Sequence, residues 1–378
     1  MELFCKLPFS RISLDDDGNI WPACCPDWVE FPMGNIFTQT WDEIWLGENA
    51  KKLRDSSFDG SLRHCKKDWC PNIIDALSGL ENYHVIPMKK APKQWNAVPP
   101  SHINLNYDQS CNLKCPSCRP DYIKLKGNKL EKVITLHQYA EQHILPQVET
   151  IALTGVGDPF ISKAFRNFLL NFDKRKYPSI KKIHLHTNGQ LFDEKTFMQM
   201  KGLHDIELST DISIDAASAK VYSKVRPPGK WDKLLQNLDF IKKLDNLVLL
   251  GISMVVQKEN HHELVPFSEL GEKLVYRNRP TFVEFKRMRH DPHMSSEMYN
   301  EISIDHAPEN IQENFQKQLI ALERKRLLNA KYGIKPEIRH NLQFYFKEQI
   351  NPPAIGVFKH SLLKAASVYR NFNQKWNS

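Results

Sequence analysis

The chain has no cysteine beyond residue 118, no apolar run long enough for a bilayer, and no basic amino-terminal stretch leading into an apolar core. Each absence excludes something. A membrane-spanning helix needs about 20 consecutive apolar residues, and the longest run here, "NLVLLGISMVV" from Asn246 to Val256, falls well short. The opening "MELFCKLPFSRISLDDDG" does not read as a secretory signal, so a cytoplasmic protein without a membrane partner is expected. No internal repeat is visible, and hydrophobic residues make up 41% of the 378. That is ordinary for one large domain with a smaller one attached. Uneven charge is confined to the end: of the net +8, nearly all lies in residues 308–378, where 12 Lys and Arg face 5 Asp and Glu. A basic tail can meet nucleic acid, but a solvated helix with a lysine-rich outer face is the plainer reading, and nucleic acid is not expected as a partner.

The eight cysteines fall into two groups. Cys5, Cys24, Cys25, Cys65 and Cys70 occupy the first fifth of the chain, and Cys111, Cys115 and Cys118 sit within "CNLKCPSC". In a reducing cytosol, thiols this close more often hold metal than form disulfides.

From about residue 100, short β-branched runs alternate with helical patterns, the rhythm of parallel strands joined by crossover helices. "HINLNYD", "ETIALTG", "KKIHLHTNG", "IELSTDISID", "NLVLLGISMVVQ" and "TFVEFKRM" read as six strands separated by helices such as "SKAFRNFLLNF" and "WDKLLQNLDFIKKL". Six β/α units are two short of a full TIM barrel. The predicted class is therefore α/β, a partial (β/α)6 barrel over 101–290. A small cysteine-rich domain spans 1–84, a linker 85–100, and a helical basic extension 291–378. In the fourth strand Glu207, Ser209, Asp211, Ser213 and Asp215 share one parity. Asn104, Asn106 and Asp108 repeat this in the first strand, and His184, His186 and Asn188 in the third. A period of two puts each set on one face, so the lumen is expected to be polar, a binding site rather than a packed core. Residues 308–333 read as a long helix with Ile311, Phe315, Leu319 and Leu322 on one side.

A 4Fe-4S cube needs one outside ligand per iron, and the triplet supplies three, leaving a coordination position open to a substrate. The triplet also follows the first strand directly, at the end of a barrel strand where chemistry is carried. On these residues the sequence resembles the radical S-adenosylmethionine (radical SAM) enzymes. The resemblance implies a 4Fe-4S cluster on Cys111, Cys115 and Cys118 with S-adenosylmethionine on the free iron. One electron then cleaves the sulfonium to a 5'-deoxyadenosyl radical that abstracts hydrogen from a substrate carbon. "TGVGDPF" resembles the family's GGEP motif, placing Gly155, Gly157, Asp158 and Pro159 against the methionyl amine. "SID" resembles the ribose-contacting strand through Ser213 and Asp215, and Arg226 in "YSKVR" the fork on the methionyl carboxylate. Asn188 in "TNG" matches the end of the third strand. Where many members have an aromatic residue before the third cysteine, this chain has Ser117.

The amino-terminal stretch resembles the SPASM domain, an auxiliary-cluster module. The matching features are Cys5, Asp17-Gly18, Cys24-Cys25, Gly34-Asn35, the helix with Glu43-Ile44-Trp45, and Cys65 with Cys70. The implied ligands are Cys5, Cys65 and Cys70 with one of Cys24 and Cys25, closing a second 4Fe-4S cluster; zinc on four thiolates is the alternative. Here the module precedes the barrel instead of following it, and its last pair is spaced CxxxxC. The resemblance implies an oxidative modification of a peptide, such as a cross-link or dehydrogenation, with an electron donor such as flavodoxin or ferredoxin. Epimerisation or dehydrogenation of a sugar, aminoglycoside or nucleoside is the alternative. A non-catalytic Fe-S scaffold or nucleic-acid binder is the reading of another class.

Overall fold

The computed structural model describes residues 2–23, 28–68, 70–77, 82–119, 121–153, 156–288, 294–340 and 342. Cys24, Cys25 and Gly155, and the end of the expected carboxyl-terminal extension from 343 on, lie outside the described residues. The strands in chain order are β1 (Leu3–Cys5), β2 (Arg11–Asp15), β3 (Asn19–Pro22), β4 (Gly34–Asn35), β5 (Val85–Pro87) and β6 (His102–Asn106). They continue as β7 (Thr150–Leu153), β8 (Lys182–Thr187), β9 (Glu207–Ser213), β10 (Leu247–Val256), β11 (Thr281–Arg287) and β12 (Glu337–His340).

β6 to β11 are the six expected barrel strands, each parallel to the next in chain order. The sheet continues beyond them at both edges. β2 pairs parallel with β6, Ile12 opposite Ile103, and β12 pairs parallel with β11, Ile338 opposite Val283. Eight parallel strands therefore curve around the lumen, with the antiparallel β3 and β4 outside β2, and the sheet stays open between its ends. Both terminal segments thus take part in the sheet. The carboxyl-terminal extension is not only helical, because after the helix Glu309–Tyr332 it contributes a strand. The cysteine-rich segment also carries strands: β2 and β3 form a hairpin whose turn is closed by the Asp15 carboxylate, which accepts from the Asp17 and Asn19 amides and Trp21 Nε1.

Period two sets the layers. In β8, Ile183, Leu185 and Thr187 are buried against the helices while Lys182, His184 and His186 face the lumen. Ile103, Leu105, Ile151, Leu153, Leu208 and Ile212 are likewise fully buried, each contributing about 1.5–3 kcal/mol. The covering helices include Lys163–Leu170, capped by Ser162, and Trp231–Ile241. The long helix buries Phe315, Leu319 and Leu322 and ends where Gly333 turns left-handed at φ 65°. It is tied to β12 through buried Glu323, which accepts from Arg326 at 2.7 and 2.8 Å and faces His340 Nε2 at 2.8 Å.

In the amino-terminal segment the one expected helix divides into Trp41–Trp45 and Glu48–Phe58. A capping box between Thr40 and Glu43 starts the first. Gly47 separates them, where a Cβ would lie 1.9 Å from the Glu43 carbonyl oxygen. Within the expected linker, β5 pairs antiparallel with β1 and so ties residues 85–87 back to the start of the chain.

Candidate functional site

The triplet lies just past the carboxyl end of β6. Cys111 bridges to Ile123, its amide donating to the Ile123 carbonyl at 2.8 Å, and the amides of Cys118 and Arg119 donate to the Cys115 carbonyl at 2.9 and 3.0 Å. Cys115 is buried, Cys111 half-buried and Cys118 exposed. Two of the thiols already receive donors. Arg119 directs Nε and Nη2 to Cys118 Sγ at 3.3 Å while anchoring Nη1 and Nη2 on the Gln109 and Val156 carbonyls. Asn188 Nδ2 stands 3.8 Å from Cys111 Sγ and donates to Asn112 Oδ1 at 2.9 Å. Burial raises the Cys115 thiol to about 11 and raises Cys111 as well, so a metal taken up here must displace protons. For Arg119, burial is outweighed by the surrounding thiols, and its pKa is raised.

The loop after β7 packs directly under the triplet. A Cβ on Gly157 would lie 2.3 Å from the Asp108 carbonyl oxygen and 2.6 Å from that of Ser110, so only glycine fits. Asp158, the residue expected against a methionyl amine, is 2% exposed; its carboxylate accepts from Thr187 Oγ1 at 2.7 Å and from the amides of Asn188 and Phe160 at 2.8 and 3.0 Å. Its amide donates to the Ser110 carbonyl at 2.8 Å. Asp158 thus braces the triplet loop against the end of β8. Burial raises its pKa despite these bonds. Pro159 follows in the same turn, between Asp158 and the buried Phe160.

Asp215 and Arg226 meet. Arg226 Nη2 lies 2.6 Å from Asp215 Oδ2, and Asp215 Oδ1 accepts from the Val255 amide at 2.7 Å. Asp215 holds φ at 60°, secured by Asn260 Nδ2 on its carbonyl at 2.8 Å. Burial raises the Asp215 pKa in spite of the guanidinium; burial of Arg226 is outweighed by Asp215 and Cys115, which raise it. Arg226 Nε is buried without a hydrogen-bond partner among the described residues. Ser213 faces His186 Nε2 at 3.1 Å and Ser253 at 3.5 Å, one layer deeper.

The lumen below is polar. Asp211, 6% exposed, faces Lys286 Nζ at 3.4 Å and His186 Nδ1 at 3.7 Å through Oδ2, and its buried Oδ1 has no partner among the described residues. Lys286 also reaches Glu284 at 3.0 Å, and His184 pairs with Ser209 at 2.9 Å. Burial raises Asp211, but Lys286 and the two histidines hold it below the usual carboxylate range. Burial brings His186 down to about 4 and lowers His184, keeping both neutral at pH 7.

The structure gathers Cys5, Cys65 and Cys70 into one pocket with Leu7, Pro22 and Trp28. Burial, then Cys65, raises Cys5; burial, then Cys70, raises Cys65 to about 11. Pro22 and Trp28, on either side of Cys24 and Cys25 in the chain, both line this pocket. No three Cys, His, Asp or Glu side chains among the described residues stand at single-ion spacing.

The residues present suit the groups expected. Three thiols with nitrogen donors aimed at two of them match a cluster's need for ligands and for hydrogen bonds to its sulfurs. A buried guanidinium whose Nε–H has no partner among the described residues matches a carboxylate-bearing ligand. Sequence reasoning missed the work of Arg119, Asn112 and the Val255 amide. Arg119 was signalled only by being the residue after the third cysteine. Among the described residues no helix is long and apolar enough to cross a membrane.

Residues 106–270 match the Radical SAM superfamily, and residues 5–71 match SPASM, an iron-sulfur cluster-binding domain. Molybdenum cofactor biosynthesis protein 1 of Dictyostelium discoideum is 24% identical over 174 residues, 45% of this chain and 26% of that protein. GTP 3',8-cyclase of Synechocystis sp. is 25% identical over 175 residues, 45% of this chain and 50% of that protein. The match thus spans half or less of these curated relatives. Among solved structures, Streptococcus suis SuiB bound to S-adenosylmethionine aligns over 92% of this chain and 75% of that one, at 12% identity and TM-score 0.42. Residues 106–270 are thus a radical SAM domain, which implies a 4Fe-4S cluster and S-adenosylmethionine as cofactors, and an SPASM iron-sulfur domain precedes it in the chain.

Proposed function

We propose that this chain is an oxidative radical SAM enzyme that acts on a small hydroxylated or amine-bearing molecule held in the barrel lumen. The observation that carries the substrate class is Asp211 Oδ1, a buried lumen acceptor without a donor among the described residues, next to the Lys286–Glu284 pair. An unpaired buried acceptor costs about 1–3 kcal/mol, and a substrate O–H or N–H recovers it.

Cys111, Cys115 and Cys118 would hold a cluster that would supply the electron for reductive cleavage of S-adenosylmethionine, and Cys5, Cys65 and Cys70 would hold a second that would accept an electron from the substrate. The chain's own residues do the rest. Arg226, fixed by Asp215, offers its remaining N–H to the methionyl carboxylate. Asp158 and Gly157 hold the triplet loop at a set height over the lumen, and Ser213 lies between the cofactor layer and Asp211. Neutral His184 and His186 supply hydrogen bonds without adding charge. Lys286 stands against both Asp211 and Glu284, leaving one net negative charge, so the lumen suits a neutral or singly positive substrate. A flavodoxin-like or ferredoxin-like protein delivers the electron.

A peptide presenting one polar side chain is the second reading, favoured by the module with Cys5, Cys65 and Cys70. The test is release of 5'-deoxyadenosine from anaerobically reconstituted, reduced protein, with panels of sugars, nucleosides and aminoglycosides set against peptides. One small-molecule class should stimulate release, and Asp211→Asn should remove the stimulation while sparing slow substrate-free cleavage. Stimulation by peptides alone moves the assignment to the second reading. No release under any condition eliminates both.

A further inference from the structure

The turn between β2 and β3 lies beside the loop that carries the triplet. β2 and β6 run parallel with Asp15 opposite Asn106, so the two strands end level and the loops that follow leave the sheet side by side. Asp16 and Gln109 meet there, Gln109 Nε2 donating to Asp16 Oδ2 at 3.0 Å. Asp16 itself stands on a fixed frame. The Asp15 carboxylate closes the turn, and Asn35 Nδ2 donates to the Asp17 carbonyl and to Asn19 Oδ1, both at 2.9 Å. From the covering helix Gly127–Tyr139, Lys132 Nζ reaches Asp17 Oδ1 at 2.9 Å.

The contact continues inward. The carbonyl of the same Gln109 accepts from Arg119 Nη1 at 2.6 Å, and the Val156 carbonyl accepts from Arg119 Nη2 at 2.5 Å. Held on that side, the guanidinium turns Nε and Nη2 onto Cys118 Sγ, each at 3.3 Å. A long arginine side chain is aimed only if its rigid fork is anchored, because its own rotamer freedom works against any single pose. N–H donors on a thiolate that ligates a cluster draw charge from it and favour the reduced state, which is one of the levers on a cluster's potential. At its other end the hairpin reaches the amino-terminal cysteines. Pro22, the last residue of β3, lines the pocket of Cys5, Cys65 and Cys70. One hairpin thus touches both cysteine sites.

We propose that Asp16 is a positioning residue for the radical site, a role that rests on the cluster reading above and not on the substrate: through Gln109 it fixes Arg119 on Cys118. The centre held by Cys111, Cys115 and Cys118 is then readily reduced only when the amino-terminal hairpin is seated. Without Asp16, the Gln109 side chain loses its anchor, the Gln109 carbonyl shifts, and Arg119 withdraws from the thiolate. The sign separates this from simple electrostatics. Removing the negative charge of Asp16 alone makes reduction easier, whereas withdrawing Arg119 from Cys118 makes it harder.

The experiment is a potentiometric titration of the full-length, anaerobically reconstituted protein, followed by electron paramagnetic resonance, with the radical-site signal identified as the one that S-adenosylmethionine shifts. Arg119→Ala lowers the ratio of reduced to oxidised centre at a fixed potential about tenfold, a one-electron midpoint about 59 mV lower. Asp16→Ala lowers it about threefold in the same direction. Asp16→Asn keeps an oxygen acceptor for Gln109 without the charge, and returns the ratio to within about twofold of the parent. Lys132→Ala, which releases Asp17 but leaves Gln109 on Asp16, changes it less than about twofold. Asp16 lies outside the triplet loop, so its variants carry the test even if iron analysis shows that Arg119→Ala loses its cluster. A parental or higher midpoint in Asp16→Ala, a midpoint as low in Asp16→Asn, or an equal fall in Lys132→Ala overturns the positioning role. A parent with no signal that S-adenosylmethionine shifts removes the cluster reading, and the role with it; failure to find a substrate touches neither.

Discussion

Replacing Gly157 with alanine isolates the support of the triplet loop. Its φ is not among the left-handed angles, so alanine suffers no backbone strain there and the whole effect is steric. The new methyl would stand 2.3 and 2.6 Å from two backbone carbonyl oxygens, and 3.0 Å from the Gln109 carbonyl carbon. Ordinary contact begins near 3.4 Å, so segment 108–110 must retreat by about 1 Å. Overpacking of this kind costs about 1–3 kcal/mol. The retreat also stretches the 2.8 Å bond from the Asp158 amide to Ser110, and a buried bond lost adds about 1–3 kcal/mol. The sum, roughly 2–6 kcal/mol, lowers Tm by several degrees. Because Ser110 precedes Cys111, the same movement displaces the first thiol. Anaerobic iron and sulfide analysis should show iron falling from about eight toward about four per chain, the four-iron complement of one cube being lost. Gly127→Ala, at φ 52° with open space around the position, serves as a control costing about 1–2 kcal/mol and no iron. Parental iron content together with parental Tm in Gly157→Ala would refute the bracing role given to this loop.

Acid should unfold the protein well above the carboxylate range. His102 and His137 are 8% and 6% exposed, and burial brings them down to about 3 and about 4. Their folded values lie below the unfolded value, so their contribution is complete above about pH 6.5 and lost as pH falls toward 4. In that window the unfolded chain alone binds the two protons, costing about 2.7 kcal/mol per pH unit; urea melts at pH 7, 6 and 5 measure it, and a flat profile contradicts it. Glu323→Gln should cost about 3–5 kcal/mol by leaving buried Arg326 uncompensated, with hydrogen exchange rising first in β12. Arg226→Met should weaken S-adenosylmethionine binding at least tenfold in equilibrium dialysis, and a parental Kd would remove Arg226 from that site.

The barrel was legible because six strands alternate with helices and carry their polar residues on one parity. Ser209, Asp211 and Ser213 reach the lumen as period two requires, and the triplet stands at the end of its strand. Two of the eight parallel strands were not legible. "RISLD" and "EIRH" are too short to carry a pattern, and their partners, β6 and β11, lie about 90 and 55 residues away in the chain; pairing at that distance is decided by tertiary packing. Residue types in the site were visible, but not who holds whom. Arg226 and Asp215 each fit a cofactor contact on their own, and only the fold shows that they pair with each other. The apolar groups flanking Cys24 and Cys25 could likewise not be placed from composition.

The outermost parallel strands come from opposite ends of the chain, and this bears on what can be cut away. A fragment limited to 101–290 would bare two rows of unpaired amides and carbonyls, one along β6 and one along β11. Such fringes template the addition of further copies, so the trimmed protein should polymerise side by side, and added peptides spelling "RISLD" or "EIRH" should compete with that growth.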